Sequence, residues 1–336
     1  MGMWGHKFRD TWLNAIDTPQ EYLYVQNALV DFETGIASKD GKIIWETANE
    51  NIVWQKKWVS SDPRWLNRLT RFEVIMERML EIEAAFNKKV ADAKDIPEIK
   101  NGTTLHLLHP FNRYVFGHLF DTLQKLYIPE IHNLNFHSIL LPKTHEIIDF
   151  NTHLKVFGME NKHLFHSDYG LIKVNHLLFI PPISHPTSFT PESFLFVKEK
   201  YDNFYKIKKE ISPTNKIFLT RKKGHFKRHL LNEDEIKDAM LKMGVIYFDG
   251  NQTFDEMINA FSNASHVAGV HGSLFTNNIF GHRSTKYREY CPSNRNNHTF
   301  HHQYKICGGY DHILVDGDSE YNIKIDLDDL IKFYKS

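Results

Sequence analysis

Residues 245–277 read VIYFDGNQTFDEMINAFSNASHVAGVHGSLFTN, and their order of patterns decides the fold. VIYFD is a short run of β-branched and aromatic residues, a strand by composition. Asp249, Gly250 and Asn251 break it as a turn. Thr253 with Glu256 three residues on has capping-box spacing and opens a helix to about Ala264. HVAGV is a second short strand. His271, Gly272 and Ser273 then turn the chain into a further helical stretch reaching Asn277. A strand, a helix, a strand and a helix in so short a span predict a parallel sheet with helical crossovers.

The same alternation extends in both directions. Thr190 and Pro191 open a helix to about Ile211, and KIFLT follows as a strand leading into Arg221. Asn232 and Glu235 repeat the capping-box spacing at the start of a helix to about Met243. This half of the chain reads as a Rossmann-like, doubly wound α/β domain. Upstream, HPTSFTPES (185–193) is rich in Pro, Ser and Thr and marks a boundary. The expected divisions are 1–185, 186–314, and a C-terminal segment 315–336 that could pack back on the N-terminal half.

The first half is less regular. GKIIWE and ENIVWQKKWV read as short strands among Gly and Asn turns. Asp62 and Pro63 start a long amphipathic helix to about Lys94, with apolar residues at Leu66, Leu69, Phe72, Ile75, Met76, Met79 and Leu80. TLHLLH is a strand, residues 112–127 are helical, and FHSILL, LIKVN and HLLFIPP are further strands.

Bulk composition excludes several classes. The 336 residues carry 41 basic and 41 acidic side chains, so no global field favours nucleic acid or an anionic membrane. An anion must be held by a local site. No segment has the roughly 18 apolar residues of a membrane span, and the N-terminus lacks a signal-peptide pattern. Cys291 and Cys307 make no disulfide framework, so the sequons at Asn101, Asn251, Asn263 and Asn297 fit a cytosolic chain without glycosylation.

Candidate chemistry gathers at strand ends. Gly269 and Gly272 flank His271 where a strand meets a helix, and backbone N–H groups there can hold an oxyanion. By itself the segment also fits a plain turn with a buried histidine. Arg221 ends a strand of the same sheet, and the stretch to Arg228 is the densest basic cluster in the chain. Arginine forks suit phosphate oxygens, so the two features together point to a diphosphate pocket. Asn232, Glu233 and Glu235 are accounted for by helix capping. In the first half, His118 and Asp121 share one helix face, a workable general-base pair or a surface pair.

Taken together, NRYVFGHLFD, TRKKGHFKRHLLNEDE, TFDEMINAFSNA and GVHGSLFTN resemble the ordered motifs of glycosyltransferase family 61 over residues 105–310. KYREYCP is similar to the strand whose glutamate, here Glu289, lies near the nucleotide. The chain departs from the pattern with Ser273 in place of Ala, Leu274–Phe275 where a second glycine stands, and Leu119 after the first histidine. The resemblance implies a GT-B architecture, two Rossmann-like domains facing a cleft, with the donor in the C-terminal one and the acceptor mostly in the other. It also implies inversion at the anomeric centre and transfer of xylose, another pentose or N-acetylglucosamine from a UDP-sugar to a glycan hydroxyl.

On that basis Asp121 with His118 is the expected base. Arg221, Arg228, His271, Gly272, Ser273, Asn277, Glu289 and Gly269 are the expected donor-binding set. No cofactor or divalent metal is expected: Asp316-Gly317-Asp318 imitates a DxD metal motif but sits in an acidic turn, and His298, His301, His302 and Cys307 read as polar loop residues. The lack of an anchor fits a cytosolic bacterial or viral enzyme. A non-catalytic nucleotide- or carbohydrate-binding module, or a nucleotide-sugar epimerase of GT-B-like fold, would share the anion turn. A dehydrogenase would need a G-x-G-x-x-G after a strand, and no strand here has one.

Overall fold

A computed structural model describes residues 12–13, 22–44, 47, 68–108, 122–141, 150–165, 170–181, 190–207, 212–221, 228–295 and 308–336. The chain divides into two compact units, residues 1–186 and 187–336. Both contain parallel strand pairs, and the fold is α/β.

In the first unit, strands β1 (Trp12–Leu13), β2 (Leu23–Asp31), β3 (Ala37–Lys39) and β4 (Lys42–Ile44) precede the long helix α1 (Arg68–Asp92). Then come β5 (Glu98–Ile99), β6 (Thr104–His106), α2 (Tyr127–Ile131), β7 (Ser138–Leu140), α3 (Phe150–Val156), β8 (His163–Phe165) and β9 (Leu171–Phe179). The sheet order is β1-β4-β3-β2-β9-β6-β7-β8, with β5 also on β9. Strands β9, β6, β7 and β8 are mutually parallel, whereas β2 joins β9 and β3 antiparallel. The sheet is therefore mixed. LIKVN and HLLFIPP, two strands by sequence, form the single strand β9, because nothing in Asn175-His176 breaks the period. Helix α1 lays Ile82, Phe86 and Val90, four residues apart, against Ile36, Ile43 and Leu171.

The second unit contains α4 (Pro191–Phe204), β10 (Asn215–Leu219), α5 (Glu233–Lys242), β11 (Ile246–Phe248), α6 (Phe254–Ser262) and β12 (Ala264–Val270). A 3-10 helix at Ser273–Phe280 follows, then β13 (Lys286–Pro292), β14 (Gly309–Val315) and α7 (Leu327–Lys335). All four strand pairings are parallel, in the order β11-β10-β12-β13-β14. Phe218, Ala268, Val270 and Tyr290 form one face of the sheet and pack against Ile236 and Met240 of α5 and Leu330, Phe333 and Tyr334 of α7. On the other side Tyr201, Phe254 and Phe280 join α4, α6 and the 3-10 helix edge to face.

Residues 315–336, set apart by sequence as a segment that could return to the first half, are built into this core. The Tyr334 hydroxyl donates to the Ile217 carbonyl inside it. The cap expectations divide. Thr253 and Glu256 form the reciprocal capping box, and Thr190 accepts from the Ser193 amide with Pro191 beside it. Asn232 caps nothing. Its side-chain amide exchanges two hydrogen bonds with the Ile325 backbone instead, at 3.0 and 3.1 Å. One amide side chain offers both a donor and an acceptor to a peptide group, so the two-bond partner wins over a single cap bond.

Candidate functional site

The strand order puts β10 and β12 side by side, while their onward connections leave in opposite directions, to β11 and to β13. Ligands of open parallel sheets bind outside the carboxyl ends of such a strand pair. Arg221 lies just past β10 and His271 just past β12, so the sheet brings them together. The Arg221 Nη1 donates to the His271 carbonyl at 3.4 Å. Gly272 has extended backbone, φ 179°, so its value is space: a Cβ there would lie 3.0 Å from Arg221 Nη1. Gly269 serves packing, because a Cβ on it would collide with the Leu219 carbonyl of the neighbouring strand.

The helix expected after the turn is a 3-10 helix. Ser273 opens it and is exposed. Asn277 is buried and donates from Nδ2 to the Leu274 carbonyl at 2.9 Å, a bond that holds the turn in shape.

Behind His271 stands a fully buried carboxylate. Glu289 Oε1 accepts from His271 Nδ1 at 2.6 Å, and Oε2 accepts from the Tyr310 hydroxyl at 2.5 Å and faces His312 Nδ1 at 3.3 Å. Burial opposes the charge, but hydrogen bonds from His271, His312 and Tyr310 outweigh it and hold Glu289 at a pKa of about 2. An ionised acceptor fixes the hydrogen of His271 on Nδ1 and leaves Nε2 as the outer nitrogen. Glu289 thus fixes the orientation of the His271 ring. Tyr310 and His312 were missed by sequence reasoning; their only sequence signal is the alternation that puts them on one face of β14.

The arginines have the opposite character. Arg221 Nε and Arg228 Nε are buried and have no hydrogen-bond partner among the described residues. Burial and the nearby Arg295 lower the pKa of Arg221. Burial, Arg221 and Arg295 lower that of Arg228 to about 10. Both stay charged at neutral pH, and three like charges sit close enough to disfavour one another. Arg228 also holds φ +84°, a left-handed conformation in which a non-glycine residue is strained by about 1–3 kcal/mol. Each unsatisfied buried group costs about 1–3 kcal/mol. An oxyanion would relieve the charge repulsion and the unmet hydrogen bonding together, while the backbone strain at Arg228 is held by its surroundings. Arg295, in a 3-10 turn after β13, was not singled out by sequence.

Glu233, explained by capping in the sequence, does more. Its Oε1 accepts from the hydroxyls of Thr220 at 3.1 Å and Tyr247 at 3.0 Å, which pins the chain next to Arg221. A cavity of about 550 Å³ lies elsewhere, at the amino-terminal ends of β12 and β13, beside Lys198, Asp202 and Arg283. Lys198 there is already committed to Asp202 and to the carbonyls of Ile279 and Gly281, so that cavity lacks the unmet bonding of the strand-end site. Among the described residues no cluster of His, Cys, Asp and Glu could hold a metal ion. His118 and Asp121 lie outside the described residues, as do His298, His301, His302 and Cys307.

The second unit is thus a parallel α/β sheet with arginines and a histidine-bearing turn at its switch point. The glycosyltransferase 61 family model matches residues 116–287, just over half of the chain. The chain belongs to that family and is, by that membership, a glycosyltransferase. The match spans His118, Asp121, both arginines and the His271 turn, and stops two residues short of Glu289. A search of curated proteins gives no match. Among the described residues no helix is long and apolar enough to cross a membrane.

Proposed function

We propose that the protein is an inverting, metal-independent glycosyltransferase of GT-B type that takes its sugar from a UDP-sugar. The single observation carrying the donor site is the pair of buried arginine nitrogens, without a partner among the described residues, at the strand ends beside His271. In this reading the diphosphate lies on Arg221 and Arg228, with His271 Nε2 and the backbone at Gly272–Ser273 completing the cradle. Glu289 stands behind His271 and orients it.

Asp121, with His118 three residues before it, takes the proton of an acceptor hydroxyl. The acceptor oxygen attacks the anomeric carbon as the bond to the UDP oxygen breaks, and configuration inverts. Charge grows on the departing diphosphate, where fixed arginines and a turn of backbone N–H groups stabilise it more than the ground state. Those groups supply the positive charge that a divalent ion would otherwise bring. Xylose, another pentose or N-acetylglucosamine is the transferred sugar, and a glycan hydroxyl receives it. The chain works in the cytosol, and residues 186–314 form the donor side.

Thermal unfolding against a panel of nucleotides and nucleotide sugars, with EDTA throughout, tests the donor site. Selective stabilisation by UDP and one UDP-sugar, lost in Arg221→Ala, is the expected result. A saturating ligand at about 100 times its Kd adds about 2.7 kcal/mol, several degrees for a unit of this size. No shift with any nucleotide, in EDTA or with magnesium, would overturn the reading.

A further inference from the structure

The acidic turn that imitates a metal motif has a different occupation. Asp318 Oδ1 accepts from the amides of Glu320 at 2.8 Å and Asn322 at 2.9 Å, and Oδ2 accepts from Asn322 Nδ2 at 2.9 Å. The carboxylate is saturated by its own turn, and those bonds, the Asn322 amide first, lower its pKa. The Asn322 side chain, so oriented, points its Oδ1 at the backbone of the basic segment. That oxygen accepts from the amides of Arg228 at 3.1 Å and His229 at 2.7 Å. The Arg228 amide also reaches the Glu320 carbonyl at 3.1 Å.

The contact continues as a strap. Ile323 donates to the His229 carbonyl and Leu231 to the Ile323 carbonyl, at 3.0 and 2.8 Å, and Asn232 grips Ile325 beyond them. The strap ends in a buried core, where Leu230, Ile323 and Ile325 pack with Phe218 and Tyr334. On its other side the turn bears Tyr321, itself at φ +64°, whose ring lies 5.2 Å from the Arg295 guanidinium. Asn294 ties the turn back to the end of β13 through the carbonyls of Gly317 and Asp318. Two strained residues, Arg228 and Tyr321, are thus locked by one turn, and each governs an arginine of the same cluster.

We propose that the turn Gly317–Asn322 is a positioning element for the anion site: Asn322 holds Arg228 in its left-handed conformation so that the guanidinium meets the diphosphate. The proposal rests on the donor-site reading above. A left-handed residue persists only where its surroundings over-determine it, and three hydrogen bonds to two consecutive amides do so here. Freed from Asn322, the Arg228 backbone relaxes to ordinary φ and its side chain leaves the cluster.

The test is a double-mutant cycle on UDP affinity, by calorimetry in EDTA, with wild type, Arg228→Gly, Asn322→Ala and the double variant. Arg228→Gly removes the side chain at a φ that glycine accepts freely and is expected to weaken UDP about a hundredfold. Asn322→Ala is expected to weaken it about tenfold, and to add nothing once Arg228 is gone. Equal tenfold losses with and without Arg228 would mean that Asn322 acts elsewhere and would overturn the proposal alone. So would unchanged affinity in Asn322→Ala. Absence of UDP binding by the wild type would overturn the donor site and the positioning role with it. Where Asn322→Ala does not fold, Asp318→Asn, on the exposed outer edge of the turn, replaces it and should show a smaller loss with the same dependence on Arg228. Magnesium that tightens UDP in the wild type but not in Asp318→Asn would make the turn a cation site and refute the proposal.

Discussion

Arg288 and Arg221 belong to the same sheet, on β13 and just past β10 with β12 between, and are bonded in opposite ways. Arg288 spends its guanidinium on Asp311 across the strand pair and on Asp329 of α7, at 2.8 and 3.1 Å, and lies over the Phe333 ring. Those carboxylates raise its pKa against the effect of burial. Arg221, with its pKa lowered, keeps a buried Nε without a partner among the described residues and has a second arginine beside it in the same condition. The one arginine is finished by the fold. The other keeps unmet bonding among the described residues. A folded protein normally satisfies its buried polar groups, so the place where it does not is the place to look for a ligand.

The largest expected effect comes from removing the charge behind the turn. Glu289→Gln leaves His271, His312 and Tyr310 aimed at a neutral amide and should cost about 3 kcal/mol of stability in denaturant titration at neutral pH. Its pH signature is specific. The folded carboxyl titrates at about 2 against 4.5 unfolded, so its contribution is complete above pH 4.5 and drains away as pH falls toward 2. The acid limb of wild-type stability over that range should flatten in Glu289→Gln; an unchanged limb would show that the buried network does not carry the charge.

Next in size is the crossing of the two arginines. Arg221→Ala should weaken UDP by about 2–3 kcal/mol with little change in unliganded stability. Arg288→Ala should cost about 1 kcal/mol of stability and leave UDP affinity alone. Equal binding losses in both would erase the contrast. The smallest effect belongs to the space beside Arg221. Gly272→Ala puts a methyl against Arg221 Nη1 and should raise the UDP Kd roughly fivefold, about 1 kcal/mol, with the melting temperature unchanged. Full affinity in that variant would mean that the guanidinium is free to move aside and is not pre-set by the turn.

Legibility in the sequence followed the range of each interaction. The Thr253–Glu256 box and the Thr190–Pro191 start were readable because both partners lie within one helical turn. Asn232 carries the same local signal and does head its helix, bonded to Glu235, but its oxygen serves Ile325, far along the chain, in place of a cap bond. The eight-residue 3-10 helix at Ser273–Phe280 was expected as an ordinary helix, its residues giving no sign of the tighter winding. Glu289 was singled out through the motif, but its place behind His271, and the presence of Tyr310 and His312, required the register of β12, β13 and β14.

By itself the sequence determined the alternation of strands and helices in the second unit, the strand ends where Arg221 and His271 fall, and membership of the family. All of these are written in short-range periodicity and in motif order. Only the tertiary structure decided that β10 and β12 are neighbours, that Arg228 is left-handed, and that Asn322 reaches it. The physical reason is that hydrogen bonds between distant segments depend on which strands pair, and pairing is set by the burial of the whole core rather than by any local run of residues.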